Sequence, residues 1–169
     1  ASLPDEVRTR ELEAEGCRVI RTPMNRRGAN PAEDFRLLCA YHRLLKKEKP
    51  DLVLTYTIKP NIYGGFLCRM KRIPYIETVT GLGSTFQKQG VFLKMIVAMY
   101  RTGLKKAFCI FFQNRENREI FEKYGISGQK ARLVSGSGVN LKRHAFEPYP
   151  EGEKIRFLYV GRMMREKGI

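Results

Sequence analysis

The chain has 169 residues, enough for one well-buried domain and too few for two complete ones. Hydrophobic residues make up 43% and charged residues 29%, the balance of an ordinary globular protein, and no apolar run reaches the roughly 18 residues that a transmembrane helix needs. The 32 Lys and Arg against 17 Asp and Glu give a formal charge of +15, a field that attracts polyanions without choosing among nucleic acid, an anionic bilayer and phosphorylated substrates.

Asp5, Glu6, Arg8 and Arg10 interrupt the N-terminal stretch before an apolar core forms, so no signal peptide is expected and the expected compartment is the cytoplasm. Residues 4–15 read as a helix closed by Gly16, and Cys17–Thr22 reads as a short strand. Asn30 is a good N-cap, Pro31 fits the first helical position, and Glu33 completes a capping-box spacing. The helix they start runs to about Lys49, with Phe35, Leu38, Tyr41, Leu44 and Leu45 at helical spacing, and Pro50 ends it. Leu52–Tyr56 is an apolar run of buried-strand type. A helix is expected over Pro60–Arg72, loosened by Gly64 and Gly65, and then a strand over Tyr75–Val79.

Gly81–Gly90 reads as a glycine-bearing loop, Val91–Lys106 as a long apolar and basic helix, and Ala107–Gln113 as a strand. Asn114 caps a further helix that ends near Tyr124 with Gly125 as C-cap, and Ala131–Ser135 is a strand running into the loop Gly136–Gly138. Lys142–Gly152 carries Pro148 and Pro150 and reads as a linker, followed by a strand over Ile155–Val160 and the turn Gly161–Gly168. Strands alternating with helices imply βαβ units, so the expected fold class is α/β: a Rossmann-like parallel sheet with helices on both faces. Ligands of such sheets bind at the carboxyl ends of the strands, here the loops after Tyr56, Val79, Gln113, Ser135 and Val160.

Cys17, Cys39, Cys68 and Cys109 have wide, irregular spacings, which favour four reduced, buried thiols over a zinc site or a disulfide framework, and no metal is expected. His42 lies on the second amphipathic helix and His144 in the linker, and neither forms a readable nucleophile–base arrangement with Ser, Cys or Asp.

Five stretches then carry a resemblance: LTYTIKPNIYGG at 54–65, ETVTGLGSTF at 77–86, FFQNRENREIF at 111–121, GSGVNLKRHAF at 136–146 and VGRMMREKG at 160–168. In this order they resemble the family-4 glycosyltransferases of GT-B fold, nearest to the bacterial branch that builds capsule, lipopolysaccharide and lipid-linked oligosaccharides. The resemblance implies an incomplete GT-B N-terminal domain. Residues 1–150 are expected to form an acceptor-side Rossmann-like domain lacking its first strands, and 151–169 to begin the donor-binding C-terminal domain. The implied activity is transfer of a sugar, of hexosyltransferase type and with retained anomeric configuration, in the synthesis of bacterial surface polysaccharide. A nucleotide-sugar donor is the co-substrate, with no separate cofactor, and the acceptor is polyprenyl-diphosphate-linked or a glycan. This piece alone is expected to be inactive.

The residues fit that implication in detail. Gly161 and Gly168 let backbone approach a ligand, and Arg162 and Lys167 are placed to neutralise a donor diphosphate. Thr57, Lys59 and Asn61 follow one strand and Thr80, Gly81 and Gly83 another. They read as acceptor-cleft residues with Lys59 toward an acceptor phosphate, although Thr57 and Asn61 equally suit helix capping and the glycines equally suit a plain turn. Thr80 stands where many family members have a histidine, so no titrating role is carried over to it. Ser137 and Asn140 flank the glycine loop near the interdomain cleft, or mark a hinge without ligand contact. Lys94, Arg101, Lys105 and Lys106 on the basic helix suggest a peripheral contact with the inner face of the plasma membrane, against the alternative of a solvated helix face. The rival from another class is a basic nucleic-acid-binding module, which the charge favours. The dispersed Lys and Arg and the missing RNA-binding signatures oppose it, so no nucleic-acid partner is expected.

Overall fold

The computed structural model describes residues 6–25, 30–82, 86, 90–148 and 157–161. The elements are α1 (Glu6–Ala14), α2 (Pro31–Glu48), β1 (Val53–Tyr56), a π-helical turn (Pro60–Gly64), α3 (Gly65–Lys71), β2 (Tyr75–Val79), α4 (Val91–Leu104), β3 (Cys109–Phe112), α5 (Arg115–Lys123) and β4 (Ala131–Leu133). Asn30 caps α2 as its sequence suggests, accepting from the N–H groups of Ala32 and Glu33 at 3.1 and 3.4 Å, and Lys49 closes it in the left-handed conformation. Asn114 caps α5 through the Asn117 N–H at 2.8 Å.

The four strands form one parallel sheet in the order β1-β2-β3-β4, with Val53 opposite Tyr75, Ile76 opposite Cys109 and Ile110 opposite Ala131. The sheet is therefore Rossmann-like α/β, with one difference from the expected layering. Sequential parallel strands joined by right-handed crossovers send every crossover helix to the same side. Accordingly α3, α4 and α5 gather over the face carrying Thr55, Tyr75, Glu77, Val79, Ile110 and Phe112. On the other face Leu54 and Tyr56 are exposed, and Ile76, Thr78, Cys109 and Phe111 are only half-buried.

The core lies under those helices. Tyr100, Phe112 and Phe121 meet edge to face at centroid distances of 5.0 and 5.2 Å, and Phe86 tilts onto Tyr100, Phe121 and Tyr124. Two glycines let α3 and α4 close on each other and on β2. A Cβ on Gly103 would stand 2.9 Å from the Ile62 carbonyl, and one on Gly65 would collide with Glu77 Oε1 and stand 2.8 Å from the Gly103 carbonyl.

Several expected elements differ. Cys17–Thr22 forms no strand: its half-exposed residues meet no ladder partner among the described ones, and a lone extended segment gains no sheet bonds. Pro60–Arg72 begins as a π-turn, not a plain α-helix, since Pro60 lacks a donor for the regular ladder. β3 and β4 are shorter than their apolar runs, because a strand extends only as far as its neighbour pairs. Phe157–Val160 is exposed and is not a strand among the described residues, while Ile155, Arg156 and the Pro150–Gly152 part of the linker lie outside them. Cys68 alone of the four thiols is buried; Cys17 is exposed and the other two are intermediate.

Candidate functional site

The carboxyl edge of the sheet is where the loops after β1 and β2 converge. Leaving β1, Thr57 takes φ 71°, a left-handed conformation that costs a β-branched residue energy. The π-turn follows at once, and such turns often mark functional positions. A left-handed Thr57 and an irregular turn thus fall within one short stretch at the carboxyl edge.

Lys59 sits between them. Its ammonium lies 2.7 Å from Asp34 Oδ1 in the first turn of α2, with the side chains 15% and 14% exposed. Tyr63, four residues on, lies close enough to the same carboxylate to feel it: burial and then Asp34 push its phenol up to about 12, so it stays neutral. Asn61 is buried and turns inward: its Nδ2 donates to the Thr78 carbonyl at 3.1 Å, tying the π-turn to the end of β2. Neither it nor Thr57 caps the helix, because the cap position falls to Lys59 with no side-chain bond. Thr80 is exposed just past β2, Gly81 is half-buried beside it, and Gly83 lies outside the described residues.

Under this edge lies a group that sequence reasoning did not single out. Glu77, in the middle of β2, is fully buried, with neither carboxyl oxygen partnered among the described residues. Desolvation pushes its pKa up to about 9, so it is neutral at pH 7. The same burial, helped by the nearness of Glu77, raises the Cys68 thiol to about 11. The alternation in YIETV places Glu77 on the face of Tyr75 and Val79, which was the available signal.

The other expected residues lie apart. Ser137 Oγ accepts from Gln113 Nε2 at 3.3 Å beyond β3, and Asn140 Oδ1 accepts from the N–H groups of Lys142 and Arg143 at 3.0 and 3.2 Å, closing an exposed turn. Of the donor-phosphate group, Gly161 is described and exposed, while Arg162, Lys167 and Gly168 lie outside the described residues. Lys94 on α4 and Lys105 and Lys106 in the turn just past its end at Leu104 are exposed, but the helix between sets Lys94 and Lys105 about 16 Å apart. Arg101 is occupied, donating twice to the Tyr124 carbonyl at 3.0 and 2.6 Å. Among the described residues no helix is long and apolar enough to cross a membrane, and no group of three or more His, Cys, Asp or Glu is placed to hold a metal ion.

Comparison with known proteins bears on the family and the fold. Residues 1–114 match the family model described as glycosyl transferase 4-like. The chain is also 28% identical, over 99% of its length, to the N,N'-diacetylbacillosaminyl-diphospho-undecaprenol alpha-1,3-N-acetylgalactosaminyltransferase of Campylobacter jejuni, and it spans 46% of that relative's length.

Proposed function

The chain belongs to the glycosyl transferase 4-like family, and from that premise we propose that it is the acceptor-side part of an enzyme moving a sugar from a nucleotide-sugar donor to a polyprenyl-diphosphate-linked acceptor. The observation that carries the reading is the carboxyl edge itself. Strained Thr57, the π-turn and a half-buried lysine meet there, where parallel α/β sheets take their ligands. The relative's name, with its diphospho-undecaprenol acceptor, supports a lipid diphosphate over a free glycan. Neither the family nor the relative supports the nucleic-acid reading of the basic charge.

In this reading Lys59 faces an acceptor phosphate, and Thr57, Thr80 and Gly81 line the approach. Asn61 keeps the two loops together from within. The donor diphosphate belongs to Gly161, Arg162, Lys167 and Gly168 at the start of a second domain, with catalysis through charge neutralisation on the leaving group and retention at the anomeric carbon. Synthesis of bacterial surface glycans such as capsule or lipopolysaccharide at the inner face of the plasma membrane fits an acceptor with a polyprenyl tail. Lys94, Lys105 and Lys106 are the α4 cations free to meet anionic lipid, each contributing about 1 kcal/mol. The test is to incubate the full-length polypeptide with nucleotide sugars and a short-chain polyprenyl-diphosphate sugar, following the acceptor by mass spectrometry. A mass increase of one sugar is expected. If no nucleotide sugar extends any lipid-diphosphate acceptor, the proposal fails.

A further inference from the structure

Asp34 is a carboxyl-edge residue to which none of the motifs points. It belongs to the first turn of α2 and reaches Lys59 across 25 residues of sequence. An ion pair so far buried meets a desolvation cost that an apolar pair of similar volume would avoid. That cost falls in the same short stretch as a strained Thr57 and a π-turn, so three unfavourable features coincide after one strand. A stretch serving stability alone would keep none of them.

The stereochemistry says what the arrangement does. Asp34 accepts from Lys59 Nζ at 2.7 Å, and the Tyr63 hydroxyl lies near enough to feel the same carboxylate. A lysine ammonium has three N–H donors, and Asp34 takes one. The other two have no partner among the hydrogen bonds of the described residues. A lysine is otherwise a flexible point charge, and fixing one of its N–H bonds removes rotamer freedom before a ligand arrives.

We infer that Asp34 and Tyr63 are positioning residues that aim the Lys59 ammonium at a phosphoryl oxygen of the acceptor diphosphate, an inference that rests on the sugar-transfer reading above. Lys59 supplies the charge-assisted hydrogen bonds to the anion, and Asp34 acts only through Lys59.

Steady-state kinetics of the full-length enzyme test this, with thermal unfolding of each variant setting a temperature at which all are folded. Lys59→Met should raise the acceptor KM about tenfold, the loss of one good charge-assisted contact. Asp34→Asn keeps the shape of the side chain and should raise the acceptor KM about threefold, with Tyr63→Phe raising it less and the donor KM unchanged in all three. The double variant Asp34→Asn/Lys59→Met should be no worse than Lys59→Met, because the positioning residue has nothing left to position. On a neutral acceptor analogue, the same sugar on an alkyl chain without the diphosphate, none of the substitutions should matter. Multiplying effects in the double variant, a donor KM that moves equally, or persistence on the neutral analogue overturns the inference while sugar transfer itself stands. An enzyme that transfers no sugar overturns both.

Discussion

Two carboxyl groups, half-buried Asp34 and fully buried Glu77, show how differently one fold treats the same chemistry. Asp34 lies at the carboxyl edge beside the Lys59 ammonium and a phenolic hydroxyl. Glu77 lies in β2, under Gly65, with no partner for either oxygen among the described residues. The two sites differ in both partner and depth: Asp34 is half-buried and pairs with a cation, whereas Glu77 is fully buried without one among the described residues, and desolvation drives it neutral. The edge can therefore present charge to a ligand, whereas the seam below it is electrically quiet and serves close packing.

The largest expected effect tests the seam. The folded-state pKa of Glu77 is raised to about 9 from an ordinary 4.5. The native chain thus keeps a proton that the unfolded chain releases across that window. Stability is fully present below about pH 4.5, falls as pH rises, and levels off above about 9. The slope from this one group is about 1.4 kcal/mol per pH unit, so about 4 kcal/mol separates pH 5 from pH 8. Glu77→Gln keeps the shape and removes the titration. The difference in urea stability between the two proteins should therefore widen in the variant's favour as pH rises. A difference that stays flat would mean that a partner holds Glu77 charged and that the contrast with Asp34 is false.

How much of this contrast was legible beforehand depends on distance along the chain. The caps Asn30 and Asn114 were legible because their bonds close within three residues. The strands around Leu54, Ile76 and Ile110 were legible because their apolar runs sit between helix-period segments. Cys17–Thr22 misled because its composition suits a strand, while strand formation requires a neighbour that composition cannot name. Gly64 and Gly65 read as helix-loosening residues, and Gly65 is instead the point of closest approach to β2, a reason that exists only in three dimensions. At the site, Lys59 was legible from its place after a strand. Asp34 was not, because a first-turn acid is ordinary in a helix and its partner is 25 residues away.

A second, somewhat smaller effect tests the edge from its cationic side. Lys59→Met leaves Asp34 with Tyr63 but without a countercharge, and breaking a buried pair in this way costs about 3 kcal/mol. Replacing both partners, as in Asp34→Leu/Lys59→Met, removes the stranded charge and should recover most of that loss. Urea titrations of the two single variants and the double variant check this. If the double variant is as unstable as the sum of the singles, Lys59 and Asp34 do not act as a pair, and the distinction between edge and seam disappears.

The smallest effect completes the series with a pair that solvent reaches. Arg118 and Glu122 face each other at 2.7 Å one turn apart on α5, with side chains 42% and 40% exposed. The distance equals that of Lys59 to Asp34, so geometry is held constant while burial changes. Water screens the exposed charges and already solvates them when the pair is broken, so removing one partner strands nothing. A double-mutant cycle through Arg118→Ala and Glu122→Ala should give a coupling of about 0.3–0.5 kcal/mol, shrinking further in 1 M salt. The Lys59–Asp34 coupling should be several times larger and nearly insensitive to salt, because little solvent enters between buried charges. Equal couplings at the two sites would mean that the carboxyl edge is as wet as the outer face of α5. An ammonium in such a place would meet its ligand as a hydrated surface lysine, and the reason for placing the acceptor phosphate there would be lost.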